Sequence, residues 1–448
     1  MELQLHPAAS ARFNERGLSL VRTVSSQPMS PLRSHRKFVS DEPPPIQIRI
    51  DESRDSTKRL YDGYGKQIGM YRLLHGTETG LEGDAYTEMS NLAEAMQRTE
   101  SLEPFLSVKT INDAIFEWLL ARFDGSEEAD LCDFVLGKCS QQIKTYEVWV
   151  PVSSIILEAE MLLGRVVLRP ISTAQIDGWH ERALQERPKD SKVLAMRFAQ
   201  MKEKLQGRVA GVVTSVADKM RAKQRAMLET KRSLAMLRIM SPASFIPHAT
   251  CYCTLKGMEH FEEVSSLTAV DGALRIVDEE RLDKNNPRWH IAKADADKLA
   301  GSGLADLSEL AGKERQSPFY KSLFAALSLY SKVSLVRDFS DKLVYIFASL
   351  ESLFLKNESE PIQQNLGERI ATLVGNGLKE KKAIIQSVKK VYKARSAFVH
   401  HAQQLEDTEA LREFMIYAWT AMLAAVKKRD LFNKKEDFLE AIDDRKLA

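Results

Sequence analysis

The chain has little cysteine and no long apolar run. Its 448 residues include only four cysteines, Cys132, Cys139, Cys251 and Cys253. Cysteines so few and so scattered do not make the disulfide framework of a secreted scaffold, so a reducing compartment is expected. No window reaches the roughly 18 uninterrupted apolar residues of a membrane helix, and no secretory signal pattern is present. These absences favour a cytoplasmic protein with no membrane partner.

The chain also has almost no net charge, because 64 Lys and Arg residues balance 62 Asp and Glu residues. No whole-protein field therefore attracts nucleic acid, and any basic surface must be local. His248, Cys251, Cys253 and His260 offer four side chains that can bind zinc. Their Cys-x-Cys spacing, however, is that of one face of an ordinary strand. We therefore expect buried cysteines, no metal and no cofactor.

The patterns along the chain predict an α+β protein in three parts. Residues 1–44 contain seven serines and few carboxylates and run into three prolines, which predicts a disordered or extended tail. Residues 45–305 mix strand and helix patterns, which predicts a sensing or regulatory α+β region with a long basic helix from about 190 to 240. Residues 306–448 are predicted to form an all-α helical bundle.

Individual elements are predicted from the spacing of apolar residues. In the middle part, strands are expected over 46–50, 146–151, 165–170, 250–255 and 273–277, and a helix over 110–123. In the last part, helices are expected over 319–336, 343–355, 362–374, 379–400 and 408–426. Short connections between these helices predict antiparallel neighbours.

Arg395 is the most unusual residue of the predicted bundle. Ile385, Val388 and Tyr392 precede it at helical steps of three and four, so its side chain is predicted to lie on the stripe that faces the core. Leaving a buried charge bare costs several kcal/mol or more. Arg395 should therefore face a carboxylate, a phosphate or a wet cleft.

The spacing Arg395-x-x-x-x-His400 and three ordered blocks resemble the ApeA-like branch of the HEPN superfamily. The blocks are FASLESLF at 347–354, GERIATLVG at 367–375 and YKARS at 392–396. The resemblance covers about the last 130 residues. It implies that the bundle is a HEPN domain, a fold whose members often cut RNA.

The resemblance implies a metal-independent RNA endonuclease. RNA carries its own nucleophile, the 2′-hydroxyl, so such an enzyme needs a base, an acid and a cation. By resemblance, Arg395 binds phosphate and stabilises the transition state, and His400 transfers protons, which leaves a 2′,3′-cyclic phosphate. His401, Ser396 and Glu351 are possible supporting residues.

The family also implies a partner and a biological setting. Its members bring two motif helices together in a homodimer around one cleft. They commonly act in antiphage or toxin-like abortive defence, in which RNA cleavage halts the infected cell. A regulatory protein or a nucleic acid is then a possible trigger, sensed by the N-terminal region.

The positions of the two histidines leave the geometry open. Five residues of an ideal helix turn by about 140°, so Arg395 and His400 would not point the same way. The helix is therefore predicted to fray or end near Val399. Many relatives have glycine after the histidine, whereas this chain has His401, which leaves open which imidazole faces the cleft.

A noncatalytic dimerisation or RNA-binding module is the alternative function. In that case Arg395 is a structural residue that pairs with Glu351 or Glu368. Glu351 and Arg369 are expected more often in framework ion pairs than in chemistry.

A basic run between residues 219 and 238 offers a second candidate surface for RNA. Its possible phosphate-binding residues are Lys219, Arg221, Lys223 and Arg225. The charges wrap around the predicted helix, and Met220, Met227 and Leu234 supply a packing face. A solvated helix surface is therefore favoured over an RNA site.

Overall fold

The computed structural model describes residues 3–28, 47–51, 57–258, 263–270, 273–281, 288–313, 317–401 and 407–447. The chain combines helices and strands in the α+β manner that the sequence predicts. It forms two compact units, each built from two stretches of chain. The first unit comprises Met1–Glu147 with Thr214–Arg225, and the second comprises Val148–Val213 with Ala226–Ala448.

The first unit contains a five-stranded sheet. Its strands are β1 (Ser25–Pro28), β2 (Gln47–Asp51), β3 (Thr57–Tyr61), β4 (Gln67–Leu74) and β5 (Thr77–Glu82). The order across the sheet is β1-β5-β4-β3-β2, and each neighbouring pair is antiparallel. A Cβ at Gly80 would lie 2.0 Å from the carbonyl oxygen of Met70, so β4 and β5 can approach this closely only with glycine there.

Four helices complete the first unit: α1 (Pro7–Val21), α2 (Gly83–Gln97), α3 (Val108–Phe123) and α4 (Leu131–Ser140). Helix α3 confirms the helix predicted over 110–123. Phe13 and Leu20 of α1 belong to the buried core, together with Trp118 of α3. The prediction of a disordered or extended tail over 1–44 is therefore wrong for the residues of α1 and β1. Residues 29–44 lie outside the described residues.

A second sheet lies mainly in the second unit. Its strands are β6 (Lys144–Ser153), β8 (Met161–Leu163), β9 (Val166–Pro170), β10 (Val209–Ala217) and β11 (Thr254–Leu255), in the order β11-β6-β10-β9-β8. Strand β7 (Ile155–Leu157) pairs in parallel with β14 (Trp289–Ile291). Strands β12 (Glu263–Val270) and β13 (Ala273–Arg281) form an antiparallel hairpin.

The long helix predicted from about 190 to 240 is wrong in its middle. Helix α5 (Thr173–Glu186) is followed by α6 (Ser191–Leu205) and α7 (Lys219–Ile239), and strand β10 separates α6 from α7. Met220, Met227 and Leu234 follow Val213 at steps of seven residues, and this spacing predicts one helix through all four. Val213 instead lies in β10, where five consecutive residues are buried, as in a strand covered on both faces.

The rest of the second unit is a helical bundle. Its helices are α8 (Lys293–Leu299), α9 (Ala305–Gly312), α10 (Pro318–Tyr330), α11 (Phe339–Phe354), α12 (Ile362–Val374), α13 (Leu378–His401), α14 (Thr408–Lys427) and α15 (Lys435–Leu447). Helices α10 to α14 confirm the five predicted ones, whereas α8, α9 and α15 were not predicted. Across the described stretches, no helix has both the length and the apolar character to span a membrane.

The bundle and the second sheet share one core. Val166 and Leu168 of β9 belong to the same buried cluster as Phe347 of α11 and Met422 of α14. The domain boundary predicted between residues 305 and 306 therefore does not separate two structural units. The all-α region completes a unit that begins at Val148.

Candidate active site

Arg395 lies on the motif helix, α13. Val388 and Val391 of this helix are buried, and Ile385 and Tyr392 pack against the core. The Arg395 side chain is 25% exposed, so it lies at the edge of the buried stripe. The prediction that Arg395 follows an apolar stripe along its helix is confirmed.

Glu351 of α11 faces Arg395. Its Oε1 atom lies 3.7 Å from Nη1 of Arg395, which is ion-pair range but too long for a hydrogen bond. Among the described residues, neither Oε1 of Glu351 nor Nε of Arg395 has a hydrogen-bond partner, although both atoms are shielded from water. Of the three surroundings predicted for Arg395, the structure shows a carboxylate, and the pair is loose.

Two aromatic rings flank the guanidinium. Its central carbon lies 5.9 Å from the ring centre of Phe347 and 5.8 Å from that of Tyr392. The two rings are nearly perpendicular, and Phe347 also stacks on Phe414 of α14 at 4.9 Å. These distances allow cation–π attraction, which positions Arg395 without using its N–H donors.

Burial raises the pKa of the Glu351 carboxyl, and the charge of Arg395 only partly offsets that effect. A carboxyl in such a setting binds a proton more readily than an exposed one. Glu351 can therefore hold or release a proton beside the cation. A raised pKa next to a charged partner is typical of functional sites and also occurs in structural pairs.

Helix α13 continues to His401, two residues beyond its predicted end near Val399. Positions 395 and 400 therefore lie on one continuous helix, about 140° apart around its axis. The side chains of His400 and His401 lie outside the described residues. Ser396 is half-buried. Of the predicted site residues, the structure brings Arg395 and Glu351 together.

Arg369 of α12 is a framework residue, as expected. Its side chain is 4% exposed and binds both oxygens of Glu360 and both oxygens of Asp443 at 2.9–3.0 Å. It also donates to the carbonyl of Phe354 at 2.7 Å. Glu368 pairs with Lys446 and not with Arg395.

The basic run on α7 is divided between different surroundings. Lys219 and Lys223 are exposed, and Arg221 pairs with Glu103 of the first unit. Phosphate binding by these residues and Arg225 stays a prediction. Further along α7, Lys231, Arg232 and Arg238 line a cavity of the second unit. Residues that follow α10 line the same cavity, and no local sequence pattern predicts that they lie beside α7.

The four cysteines are buried free thiols. Burial raises the pKa of each thiol, that of Cys139 to about 12. His248 packs edge-on against Phe339, and His260 lies outside the described residues. Within the described part of the chain, no group of three or more His, Cys, Asp or Glu side chains is arranged to hold a metal ion.

No protein-family model, curated protein or solved structure matches this chain.

Proposed function

We propose that the protein is a metal-independent RNA endonuclease of the HEPN type, with Arg395 and His400 as its catalytic residues. One observation carries the proposal. The Arg395 guanidinium is partly exposed, flanked by two rings and, among the described residues, held by a single loose ion pair. A structural arginine at the edge of a core ordinarily uses its donors on carboxylates or carbonyls, as Arg369 does.

An arginine in this state suits phosphate binding. A guanidinium presents a planar set of five N–H donors that matches two phosphate oxygens. Arg395 makes no hydrogen bond to Glu351, so a phosphodiester would not have to break one. As the attacking 2′-hydroxyl adds to phosphorus, the guanidinium would stabilise the extra negative charge on the phosphorane oxygens.

Proton transfer is assigned to histidine. His400 would take the proton of the 2′-hydroxyl or give one to the departing 5′-oxygen, because imidazole titrates near neutral pH. Glu351 is assigned as a supporting group because it lies beside Arg395 and because burial raises the pKa of its carboxyl. The products would be a 2′,3′-cyclic phosphate and a 5′-hydroxyl.

A homodimer would complete the site. Positions 395 and 400 lie about 140° apart on one helix, which makes a joint attack on one phosphate by both side chains of a single copy difficult. A two-fold axis beside Arg395 would let the arginine of one copy and the imidazole of the other face one cleft. We further propose that cleavage acts in antiphage or toxin-like defence, with a trigger sensed by the N-terminal region.

The test is RNA cleavage by the purified full-length chain in EDTA, with end-group analysis of the products. R395A and H400A should each reduce the rate by two orders of magnitude or more, as loss of one catalytic device typically does. H401A shows whether the second imidazole takes part. K393A is the matched control, because Lys393 is exposed on the same helix two residues from Arg395.

Unchanged cleavage by R395A and H400A would overturn the assignment. The alternative is a noncatalytic dimerisation or RNA-binding module, which the Arg395–Glu351 pair supports because it can also be structural. That alternative predicts RNA binding or dimerisation in the wild type without new RNA ends. Mixing R395A with H400A distinguishes a site shared between two copies from a site within one copy. Only the shared site would regain activity, because one copy supplies Arg395 and the other supplies His400.

A further inference from the structure

A cavity of about 840 Å³ opens in the second unit, away from Arg395. Its walls come from the C-terminal half of α7, the strand β11, the segment between α10 and α11, and the start of α11. Pockets for small molecules span roughly 300–1,000 Å³, so this cavity is large enough for a ligand of nucleotide size.

The lining of the cavity is strongly cationic. Five basic side chains face it, while Asp338 and Asp341 are the only acidic ones among the described lining residues. The basic residues are Lys231, Arg232, Arg238, Lys332 and Arg337. The Asp338 carboxylate accepts hydrogen bonds from the backbone N–H groups of Ser340 and Asp341. The surplus of three positive charges favours an anionic occupant.

Several of these cations lack a close carboxylate. Across the described residues, neither Lys231 nor Lys332 makes an ion pair, and Nζ of Lys332 lies 5.5 Å from the centre of the Tyr345 ring. Arg232 reaches Glu229 at a loose 3.7 Å. Charge on the cavity wall is therefore available to a ligand.

Arg238 is the least exposed of these cations, at 7%. It donates to the carbonyls of Ser331 and Cys253 and to the hydroxyl of Ser331, all of them neutral groups. Burial lowers the pKa of Arg238, and no described carboxylate lies in ion-pair contact with it. A buried cation whose partners are all neutral is costly, and an anion in the adjoining cavity would offset part of that cost.

Aromatic surface lies beside the cations. Both Tyr252 and Tyr345 line the cavity, but Tyr252 is only 4% exposed, so the half-buried Tyr345 supplies the accessible ring. Tyrosine rings stack with planar ligands, and guanidinium groups bind phosphate through paired donors. The cavity thus combines the two surfaces that a nucleotide needs, one for the base and one for the phosphates.

We propose that this cavity binds a nucleoside polyphosphate, with Lys231 and Lys332 contacting the phosphates and the Tyr345 ring contacting the base. The charge surplus favours a ligand with more than one phosphate over a nucleoside or a monophosphate. Binding here does not depend on RNA cleavage at Arg395, so the two proposals can fail separately.

The experiment is calorimetric titration of the full-length protein in magnesium-free buffer with ATP, adenosine and tripolyphosphate. We expect ATP to bind, tripolyphosphate to bind more weakly and adenosine to show no measurable heat. K231E and K332E should each weaken ATP binding by about tenfold or more, because each replaces a phosphate contact by a like charge. Both lysines are exposed, so the variants should fold, and thermal unfolding verifies it.

K321E is the matched control, because Lys321 is exposed on α10 of the same unit and does not line the cavity. Its ATP affinity should equal that of the wild type. Absence of ATP binding by the wild type, or equal affinity in K231E, K332E and K321E, would overturn the proposal. Equal affinity for tripolyphosphate and ATP would show that the cavity takes a bare polyanion and would reject the nucleotide assignment.

Discussion

The Nη1 atom of Arg395 lies 3.7 Å from Oε1 of Glu351, close enough for charge attraction but too far for a hydrogen bond. Arg369, in the neighbouring helix, instead binds two carboxylates at 2.9–3.0 Å. The two arginines of one bundle therefore have different uses. One is locked into the framework, and the other makes a single loose ion pair among the described residues.

Glu351→Gln should tighten RNA binding. In the proposed function Glu351 would compete with phosphate for the Arg395 guanidinium, so removing its charge should raise RNA affinity by up to about fivefold, as expected for a pair worth up to about 1 kcal/mol. Fluorescence anisotropy with a labelled RNA at low salt measures the effect. K393A serves as the baseline for a changed charge on the same helix, and weaker RNA binding by E351Q would contradict the competition.

Arg369→Ala should destabilise the bundle. Removing the buried guanidinium leaves Glu360 without this partner and Asp443 with Lys356, and because both carboxylates are partly exposed we expect a loss of about 3 kcal/mol, the lower end of the range for a broken buried pair. Urea unfolding followed by circular dichroism gives the free energy of unfolding. K393A should change it by less than about 0.5 kcal/mol, and a similarly small effect of R369A would refute the framework role.

Asp443 should make stability depend on acid pH. Hydrogen bonds from Arg369, opposed by burial and aided by Lys356, lower the pKa of Asp443 to about 2. Its unfolded pKa is about 3.9, so its contribution is complete above that pH and is lost as the pH falls towards the folded value. The side chain is 32% exposed, so we expect about 1–2 kcal/mol after solvent screening.

Asp443→Asn measures this contribution. The variant should be less stable than the wild type at pH 6, and the difference should shrink as unfolding is measured at successively lower pH down to about 3. A difference that stays constant with pH would mean that the carboxylate charge is not what stabilises the bundle.

Lys342 should make stability depend on alkaline pH. This residue of α11 is fully buried and donates to the carbonyl of Ala249 at 2.7 Å. Burial lowers the pKa of Lys342 to about 8, whereas the unfolded value is about 10.4. The penalty of the buried charge is complete below pH 8 and is relieved as the pH rises towards 10.4, by up to about 3 kcal/mol.

Lys342→Met removes the titrating group and keeps a long apolar stem. The wild type should therefore gain stability relative to K342M between pH 8 and pH 10, as measured by urea unfolding of both proteins. Parallel profiles over this range would show that Lys342 does not titrate between the folded and unfolded states.

The elements that were predicted well are those with a strong local period. The core-facing positions of α11, among them Leu343, Ile346 and Leu350, recur at helical steps and are fully buried. Helix α15 was missed because charged residues surround its few buried positions, Phe438, Leu439 and Ile442. Helix α1 was missed for a similar reason, since its buried residues lie among serines and arginines.

Strand β10 shows where local patterns mislead. Its short run of buried residues, from Val209 to Val213, cannot be distinguished from a helix by spacing alone. Neighbouring strands β6 and β9 decide its conformation by supplying backbone hydrogen-bond partners from distant parts of the sequence. A chance seven-residue repeat then joined β10 to α7 in the prediction.

Side-chain periods within single segments are enough to predict the α+β class, the bundle helices α10 to α14 and the exceptional position of Arg395. That Glu351 faces Arg395, that Glu368 does not, and that Lys231 and Lys332 line one cavity became visible in the folded chain. Those contacts join residues distant in the chain, and charge and burial are properties of the neighbours that folding brings together.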